Sequence, residues 1–485
     1  MEMDHVIGRL SQALSTLGGL GAEHTKVDVV IEGKIAIEIA RVASENGIRK
    51  GEETLFIYNG IKYEKLSSNN VYDLICGLLE ELEIGIPYQM KSIESIFKRI
   101  YRSRKMKSFE PSKSIISFNN CVLTLNDMKS HEHGPEWMTR THIPHGYDPK
   151  AKCPEWRKFL TEVISDEDSI KVLQEFFGLM FIDRADMKVA VAMFLYGTGA
   201  NGKTVLGDTI NYVIGQENYT NFSFPQLCTT NDANYNTAVA NGKLLNNVSD
   251  MGDKDFSGGQ FKAITSYDPI MARPIGMAPF TAREMPLMMA SINKVPVTTD
   301  STNGNWRRYK IVRFEKTFEG KSADGYVELK LRTEASGILN WIMEGRERLV
   351  KSHGQFTESE KMEDANRKMR QHSSSVLSFL EEKGWVGRLK PGQAGHRDCM
   401  HSVDLFSNYV EYCTSWRNTP KSKNNFFDDI RQENFTYEPT LRIFGKKSTG
   451  WSFYKIDFND GDEIGEPEKE TGLGVFTEEE QELPF

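Results

Sequence analysis

The sequence has no apolar run approaching the roughly 18 residues that a membrane-spanning helix needs. Its amino terminus shows no basic region followed by an apolar stretch, the pattern of a secretory signal. Its six cysteines (Cys76, Cys121, Cys153, Cys228, Cys399 and Cys413) form no C-x-x-C pair. We therefore expect a cytoplasmic protein, without membrane association and with reduced thiols; the alternative for the cysteines is a zinc site assembled from distant residues.

An excess of positive charge is also lacking, because 60 Lys and Arg stand against 68 Asp and Glu, for a net charge of −8. The acids are concentrated at the end: Asp457 to Phe485 contains 11 acids and a single base, Lys469. The rest of the chain has 59 basic and 57 acidic residues. Such a balance is compatible with a ring that confines positive charge to a central channel, so nucleic-acid binding is not excluded.

A length of 485 residues favours about three domains. We predict a mainly helical domain at 1–160, an α/β domain with a parallel sheet at 161–370, a winged-helix module at 371–457 and a disordered acidic tail at 458–485. The winged helix is predicted from three helical runs followed by two strand-like runs. Its lysines Lys421, Lys423, Lys446 and Lys447 are either phosphate contacts or ordinary surface residues.

Three local patterns precede the α/β domain. Apolar residues three and four apart predict a helix at 71–82. Two strand-like runs, 114–118 and 122–125, predict a hairpin. The segment 126–154 is rich in His, Pro and Gly and is predicted to be a loop, with its histidines solvated rather than bound to metal.

The apolar run 190–196 is followed by the motif G-x-x-x-x-G-K-T and then by a helical stretch at 205–213. The motif consists of Gly197, Thr198, Gly199, Ala200, Asn201, Gly202, Lys203 and Thr204. In this strand-loop-helix context, backbone N–H groups converge on phosphates, Lys203 reaches the β and γ phosphates and Thr204 supplies a Mg²⁺ ligand. The motif predicts binding of ATP with Mg²⁺.

Polar residues follow two further apolar runs. Asp250 ends the run 242–250 and could hold Mg²⁺, while Asp253 could polarise the attacking water; an exposed turn acid is the alternative reading of Asp250. Asn293 follows the run 287–292, where an ATPase positions its lytic water. Arg307 and Arg308 precede the strand 309–314, and one of them could reach the γ-phosphate bound by a neighbouring subunit. A strand cap and a surface charge pair are the alternative readings of these last residues.

Together these segments resemble the superfamily 3 helicases. The resemblance rests on the phosphate-binding motif at 197–204, which we call the P-loop, and on four further pieces of sequence. These are "KLLNNVSD" ending at Asp250, the segment 261–273, "SIN" ending at Asn293 and "WRRYKIVRF". More narrowly, they are similar to the primase-helicases of phages, plasmids and poxviruses, and the flanking pieces "ISFNNCVLTL", "YDPKAKCPEW" and "SGILNWIMEG" extend the likeness over most of the chain.

The resemblance implies a homo-oligomeric ring, a hexamer, that hydrolyses ATP between subunits and moves along single-stranded and forked DNA. It implies an AAA+-like motor in which Lys262 and Arg273 contact the DNA backbone. The family's channel segment has two glycines where this chain has Ser266-Tyr267. We expect no primer synthesis, since the helicase-associated region begins within the first 100 or so residues and leaves little room for a primase.

The last residues, Leu483-Pro484-Phe485, resemble the acidic tip of bacterial single-stranded-DNA-binding proteins. This likeness implies recruitment of host replication proteins, and plain solubilisation is the alternative. For the whole chain the main prediction is a replicative DNA helicase of a phage, plasmid or other mobile element. Its rivals are a DNA-packaging motor and an origin-binding initiator that uses ATP only to assemble.

Overall fold

The computed structural model describes the following residues: 3–14, 29–51, 54–81, 90–184, 186–251, 258–275, 278–293, 306–318, 326–389, 393–416 and 419–456. Its contacts divide the chain into two compact units, residues 1–300 with 304–368, and residues 301–303 with 369–485. Within these ranges, no helix is both long enough and apolar enough to span a membrane.

The first part of the first unit contains helices and a small antiparallel sheet. In chain order its elements are α1 Met3–Ala13, α2 Val29–Glu45, β1 Ile48–Lys50, β2 Leu55–Tyr58, β3 Tyr63–Lys65, α3 Ser68–Glu81 and α4 Met90–Arg102. The helix predicted at 71–82 is confirmed as α3, whose buried Leu74 and Leu78 share a core with α1, α2 and α4. The sheet β1–β2–β3 was not predicted, because strands of three or four residues hardly display an alternating pattern.

The predicted hairpin is confirmed, since β4 Ile115–Phe118 pairs antiparallel with β5 Val122–Thr124. The loop predicted at 126–154 is wrong in part, because it contributes β6 Lys129–His131 and β7 His142–Ile143 to the same sheet. These strands have three and two residues, too few for a periodic signal. This sheet packs into the core that extends through the rest of the first unit.

Two helices lead into the central sheet, α5 Pro154–Val163 and α6 Glu167–Gly178. The carboxylate of Asp166 accepts a hydrogen bond from the backbone N–H of Ser169 at 2.8 Å and so caps α6. A carboxylate at this position satisfies an N–H group that has no partner within the first turn of the helix. Trp156 of α5 and Phe177 of α6 are fully buried in the core beneath the central sheet.

The central sheet and its connections occupy 192–313. In chain order they are β8 Ala192–Tyr196, α7 Lys203–Ile214, β9 Tyr219–Thr220, α8 Phe224–Cys228, α9 Ala233–Ala240, β10 Leu245–Val248, α10 Gly259–Ser266, β11 Ile270–Ala272, β12 Phe280–Ala282, β13 Leu287–Ile292 and β14 Tyr309–Arg313. Five strands form one parallel sheet in the order β14-β8-β13-β10-β9. The predicted mixed α/β fold with a parallel sheet is confirmed. Strands β11 and β12 form a separate antiparallel hairpin.

The strand β10 contains two asparagines, yet all four of its residues are buried. The side-chain oxygen of Asn246 accepts hydrogen bonds from Thr220 Oγ1 at 2.9 Å and from Phe222 N at 3.0 Å, and its Nδ2 donates to Phe222 O at 2.8 Å. A buried amide with all of these partners carries no large desolvation penalty. Asn247 faces α7, where a Cβ added to Gly207 would lie 2.7 Å from its Nδ2. The helix therefore approaches the sheet closely at this glycine.

Three helices complete the first unit: α11 Val327–Thr333, α12 Ala335–Lys351 and α13 Glu360–Ser373. The last of them extends past residue 368, where the first unit ends. A buried carboxylate fastens α12 to α6. Glu175, which is 1% exposed, accepts hydrogen bonds from Arg348 Nε at 2.5 Å and from Thr357 N at 2.8 Å. Because a buried carboxylate is costly unless it is paired, this contact fixes the register of the two helices.

The second unit contains helices and one antiparallel sheet. Its elements are α14 Ser375–Glu382, β15 Trp385–Val386, β16 Gly395–His401, α15 Ser402–Ser415, α16 Lys423–Gln432, β17 Thr436–Ile443 and β18 Lys446–Ile456. The predicted three helices and terminal hairpin are present. Strands β15 and β16 were not predicted, and both pair with β18. The predicted acidic tail at 458–485 lies outside the described residues.

Candidate functional site

The strand order creates a crevice at the carboxyl edge of the central sheet. After β8 the chain passes through α7 to β9 at one edge, whereas after β13 it passes to β14 at the other edge. The loops that follow these two adjacent strands therefore leave in opposite directions. In open α/β sheets, such a point is where ligands bind. Tyr196 and Ile292, the last residues of β8 and β13, are paired in register, so the loops that begin with Gly197 and Asn293 both start at this crevice.

The P-loop, Gly197–Thr204, connects β8 to the first turn of α7. Gly199 has φ +118° and Gly202 has φ +88°, conformations that a residue without a Cβ adopts at little cost. A Cβ on Gly202 would also lie 3.1 Å from Val163 Cγ1 of α5, so the loop is pressed against this helix. Residues of the loop and of the N-terminus of α7 line the cleft at this edge of the sheet, and a helix N-terminus in such a position is suited to an anion.

Lys203 is 6% exposed and its ammonium is held by the loop itself. Its Nζ donates hydrogen bonds to the backbone oxygen of Gly197 at 2.7 Å and to Asn201 Oδ1 at 2.8 Å. Burial lowers the pKa of this ammonium, because removal from water disfavours the charged form. A buried cation with only neutral partners leaves its charge uncompensated, so this site has the electrostatics of a phosphate receptor.

A cleft of about 570 Å³ opens beside this loop; we call it the P-loop cleft. Its volume falls in the range of small-molecule sites. On one side it is lined by the P-loop, Ser249, Ser291 and Asn293. The other side is largely apolar and comes from distant segments: Phe159, Phe318, Val327 and Leu331. Charged side chains also line it: Glu155, Lys158, Glu162 and Lys330. Sequence reasoning missed both of these groups, since no local motif marks them.

The acids predicted after β10 lie in two situations. Ser249 lines the cleft and Asp250 follows it, exposed to solvent. Thr204 also lines the cleft, at the start of α7. A hydroxyl and a carboxylate are oxygen ligands of the kind that Mg²⁺ prefers. Asp253 lies outside the described residues.

The two arginines before β14 differ sharply in environment. Arg307 is exposed, whereas Arg308 is buried and donates from Nη2 to Ser266 Oγ at 3.0 Å. Because β14 and β8 are parallel, with Tyr309 opposite Ala192, both arginines lie at the amino edge of the sheet. The P-loop lies at the carboxyl edge. The structure therefore does not bring them to the cleft of their own chain.

The predicted DNA contacts Lys262 and Arg273 lie on α10 and directly after β11. Arg273 is exposed, and its backbone N–H donates to Asn234 O at 3.0 Å. Lys262 is half-buried. Between them Tyr267 has φ +61° and accepts two cations on its ring, with Lys113 Nζ at 4.4 Å and Arg184 Cζ at 4.8 Å from the centroid. Tyr267 belongs to Ser266-Tyr267, the two positions at which the sequence departs from the helicase pattern.

Other metal sites are not supported among the described residues, where no group of three or more His, Cys, Asp or Glu could hold an ion. The histidines of 126–154 bind the protein instead. His133 Nε2 lies 2.8 Å from Phe118 O, and His145 Nε2 lies 3.0 Å from Tyr212 O. All six cysteines are free thiols.

Two protein families match parts of the chain. Residues 50–165 match the family described as "D5 N terminal like". Residues 195–308 match a "Family of unknown function (DUF5906)". The second match spans the P-loop, Asp250, Asn293, Arg307 and the predicted DNA contacts. The two matches do not overlap, and residues 166–194 lie between them.

Solved structures of one protein are similar to this chain. The apo structure of the NrS-1 C terminal region (305-718) is 12% identical, covers 86% of this chain and 98% of its own, and has a TM-score of 0.47. The A form apo structure of the same region is 11% identical, covers 84% and 96%, and has a TM-score of 0.45. The stretch that is similar to the family of unknown function contains the P-loop and Asn293, which follow adjacent strands of the sheet.

Proposed function

We propose that this protein is an ATP-dependent replicative DNA helicase of the superfamily 3 type, from a phage, plasmid or other mobile element. One observation carries the proposal. The P-loop and Asn293 end neighbouring strands at one edge of a parallel sheet, while Arg307 precedes a strand at the opposite edge. A nucleotide site divided in this way is complete only when a second subunit adds its arginine. The D5 N terminal-like match at 50–165 supports placement among the primase-helicases.

ATP occupies the P-loop cleft in this proposal. The N–H groups of Gly197–Thr204 and the ammonium of Lys203 hold the phosphates, and the apolar wall of Phe159 and Phe318 takes the base. Thr204 and Asp250 hold Mg²⁺, which neutralises charge that develops on the phosphate oxygens. The amide of Asn293 orients the attacking water, and Asp250 or Asp253 accepts its proton.

The arginine finger is Arg307 rather than Arg308. A finger must be exposed on its own subunit and must carry a guanidinium that can move to a γ-phosphate. Arg307 meets the first requirement, whereas the guanidinium of Arg308 is buried against Ser266. Since Arg307 serves another subunit, the working form is a homo-oligomeric ring, a hexamer in the resemblance.

Single-stranded and forked DNA is the track. Arg273 and Lys262 lie on the segment between β10 and β13, the two strands that are followed by the cleft residues Ser249 and Asn293. Their positive charge suits the phosphate backbone. In this proposal the second unit serves as a winged-helix module, and the tail ending in Leu483-Pro484-Phe485 recruits host replication proteins. If removal of these three residues leaves capture of purified host primase and polymerase subunits unchanged, the recruitment proposal fails.

Strand displacement on a forked substrate tests the main proposal. We expect ATP-dependent unwinding by the wild-type chain and none by Lys203→Ala, with DNA binding retained. The second candidate function is an origin-binding initiator that uses ATP only to assemble. That function predicts origin melting without processive unwinding, so displacement limited to a few base pairs at every ATP concentration would favour the initiator.

A further inference from the structure

The terminal hairpin of the second unit has an inner and an outer half. The inner half belongs to the core, in which Trp451 and Phe453 pack with α14, α15 and α16. The outer half is residues 439–449, and every one of them is described and none is buried. We call this outer half the wing tip. It projects beyond the core that anchors it, so its side chains are available to a partner.

The turn of the wing tip carries a large apolar side chain in water. Phe444 has φ +48° and Gly445 has φ +78°, so both central residues of the two-residue turn are left-handed. Asn-Gly or Gly-Gly suits such a turn, whereas a bulky residue at the first position is disfavoured. Phe444 is also 105% exposed. Neither the backbone nor the burial of the free protein favours phenylalanine at this position.

The charges of the wing tip are equally unfavourable to the free protein. Residues 439–449 contain three bases, Arg442, Lys446 and Lys447, and no acid. All three are exposed, and Arg442 stands directly opposite Lys447 in the antiparallel pair. Like charges in facing positions destabilise a hairpin. In a chain of net charge −8, a short segment with only positive charge indicates a polyanionic partner.

We propose that the wing tip binds an unpaired DNA base, with Phe444 stacked on its face and Arg442, Lys446 and Lys447 on the flanking phosphates. An exposed phenyl ring needs a base whose face is free, which a single strand or a fork junction supplies and an intact duplex does not. Stacking of this kind strengthens binding by roughly 5- to 150-fold per base. The inference rests on the proposed function only in taking DNA as the substrate.

Two other lysines of the unit do not join this surface in the same way. Lys421 Nζ lies 2.8 Å from Asp429 Oδ2, so its charge is already paired within the unit. The expectation that it is a phosphate contact is therefore weakened. Lys423, at the start of α16, is exposed but lies outside the wing tip; Lys455, an exposed residue near the end of β18 that is not among the predicted phosphate contacts, serves as the charge control.

The test uses the full chain and forked DNA with 2-aminopurine, a fluorescent adenine analogue, at the first unpaired position. We expect Phe444→Ala to weaken fork binding about tenfold and to abolish the change in 2-aminopurine fluorescence. Phe444→Trp should keep both the affinity for the fork and the fluorescence change of the wild-type chain. Lys446→Ala with Lys447→Ala should lower the salt dependence of binding by roughly two phosphate contacts. Trp416→Ala, which removes an exposed aromatic at the end of α15, and Lys455→Ala are the matched controls.

The outcomes separate this inference from the helicase proposal. A fluorescence change that depends on Phe444 in a chain that cannot unwind DNA supports the wing tip and defeats the helicase. Normal unwinding with an unchanged fluorescence signal in Phe444→Ala does the reverse. The inference is also overturned if Phe444→Ala alters the oligomeric state but not DNA binding, because the phenyl ring then contacts another protein subunit. It is likewise overturned if the chain binds no DNA.

Discussion

Arg307 and Gly197 stand at opposite ends of two adjacent parallel strands, because Arg307 precedes β14 and Gly197 directly follows β8. At about 3.3 Å per residue, the length of strand between their levels is on the order of 20 Å. An arginine side chain cannot cover this distance. The pair of residues therefore belongs to one reaction only if two subunits meet.

Arg307→Ala should leave ATP binding within about twofold and lower DNA-stimulated hydrolysis by about 10³-fold, the usual effect of losing an arginine finger. Lys203→Ala should also be inactive, because it cannot hold the phosphates. Mixing the two inactive variants before assembly should restore activity, since roughly one quarter of random interfaces then join an intact Lys203 to an intact Arg307. Hydrolysis is measured by phosphate release. A mixture as inactive as its components would contradict action between subunits.

Asp250→Asn should lower the ATPase rate by at least about 100-fold, because a Mg²⁺ ligand and the charge that polarises water are both removed. Nucleotide affinity measured in EDTA should stay within about twofold. Asp268→Asn, which changes an exposed acid after α10, is the control. If Asp250→Asn hydrolyses ATP at the wild-type rate, the acid is a surface turn residue.

ATP affinity should fall at alkaline pH. Burial holds the pKa of Lys203 below its ordinary value, and only the charged ammonium attracts phosphate. Below the lowered pKa the lysine is charged and affinity is constant; as pH rises through that pKa the charge and the affinity are lost. Binding of a fluorescent ATP analogue between pH 7 and about pH 10 measures the effect. Lys203→Arg, whose guanidinium stays charged, should remove the dependence.

Arg348→Met should destabilise the first unit by about 3 kcal/mol, because Glu175 is left buried without its cation. Thermal unfolding should then shift by roughly 4 °C, because the unfolding entropy of a unit this large is high. Adding Glu175→Gln should restore part of the loss, since the amide oxygen still accepts from Thr357. Arg157→Met is the control: its partner Glu344 is half-exposed, and exposed pairs contribute about 0–1 kcal/mol. Equal losses for both arginines would contradict the buried pairing.

Much of the central sheet could be predicted from the sequence. Strands β8 and β13 are continuous apolar runs flanked by a glycine-rich loop and a polar amide, and both have the predicted positions. Strand β10 was harder, because Asn246 and Asn247 interrupt its apolar pattern. The hydrogen bonds of Asn246 to Thr220 and Phe222 explain this interruption, and such bonds depend on a neighbouring segment that composition does not reveal.

Other parts could not be predicted, for separate physical reasons. Strands β1–β3, β6 and β7 are too short to show a period, and β16 has only one buried residue in seven, so no apolar alternation marks it. The apolar wall of the P-loop cleft joins Phe159, Phe318 and Leu331 from three distant segments. Arg307 and Arg308 are neighbours of identical chemistry in the sequence, and only the structure shows that Arg307 is exposed and Arg308 is buried.

The hydrogen bonds of Lys203 have a consequence for how fast such a site can work. The ammonium already has two acceptors, Gly197 O and Asn201 Oδ1, before any phosphate arrives. In the proposed complex, a phosphate oxygen could use the third N–H donor of the ammonium directly, but it could take over the other two donors only by displacing Gly197 O and Asn201 Oδ1. This displacement would limit the net gain in affinity, and the two acceptors would be available to the lysine again when phosphate leaves. We expect this exchange to shorten the lifetime of bound product and so to favour rapid cycling over tight storage.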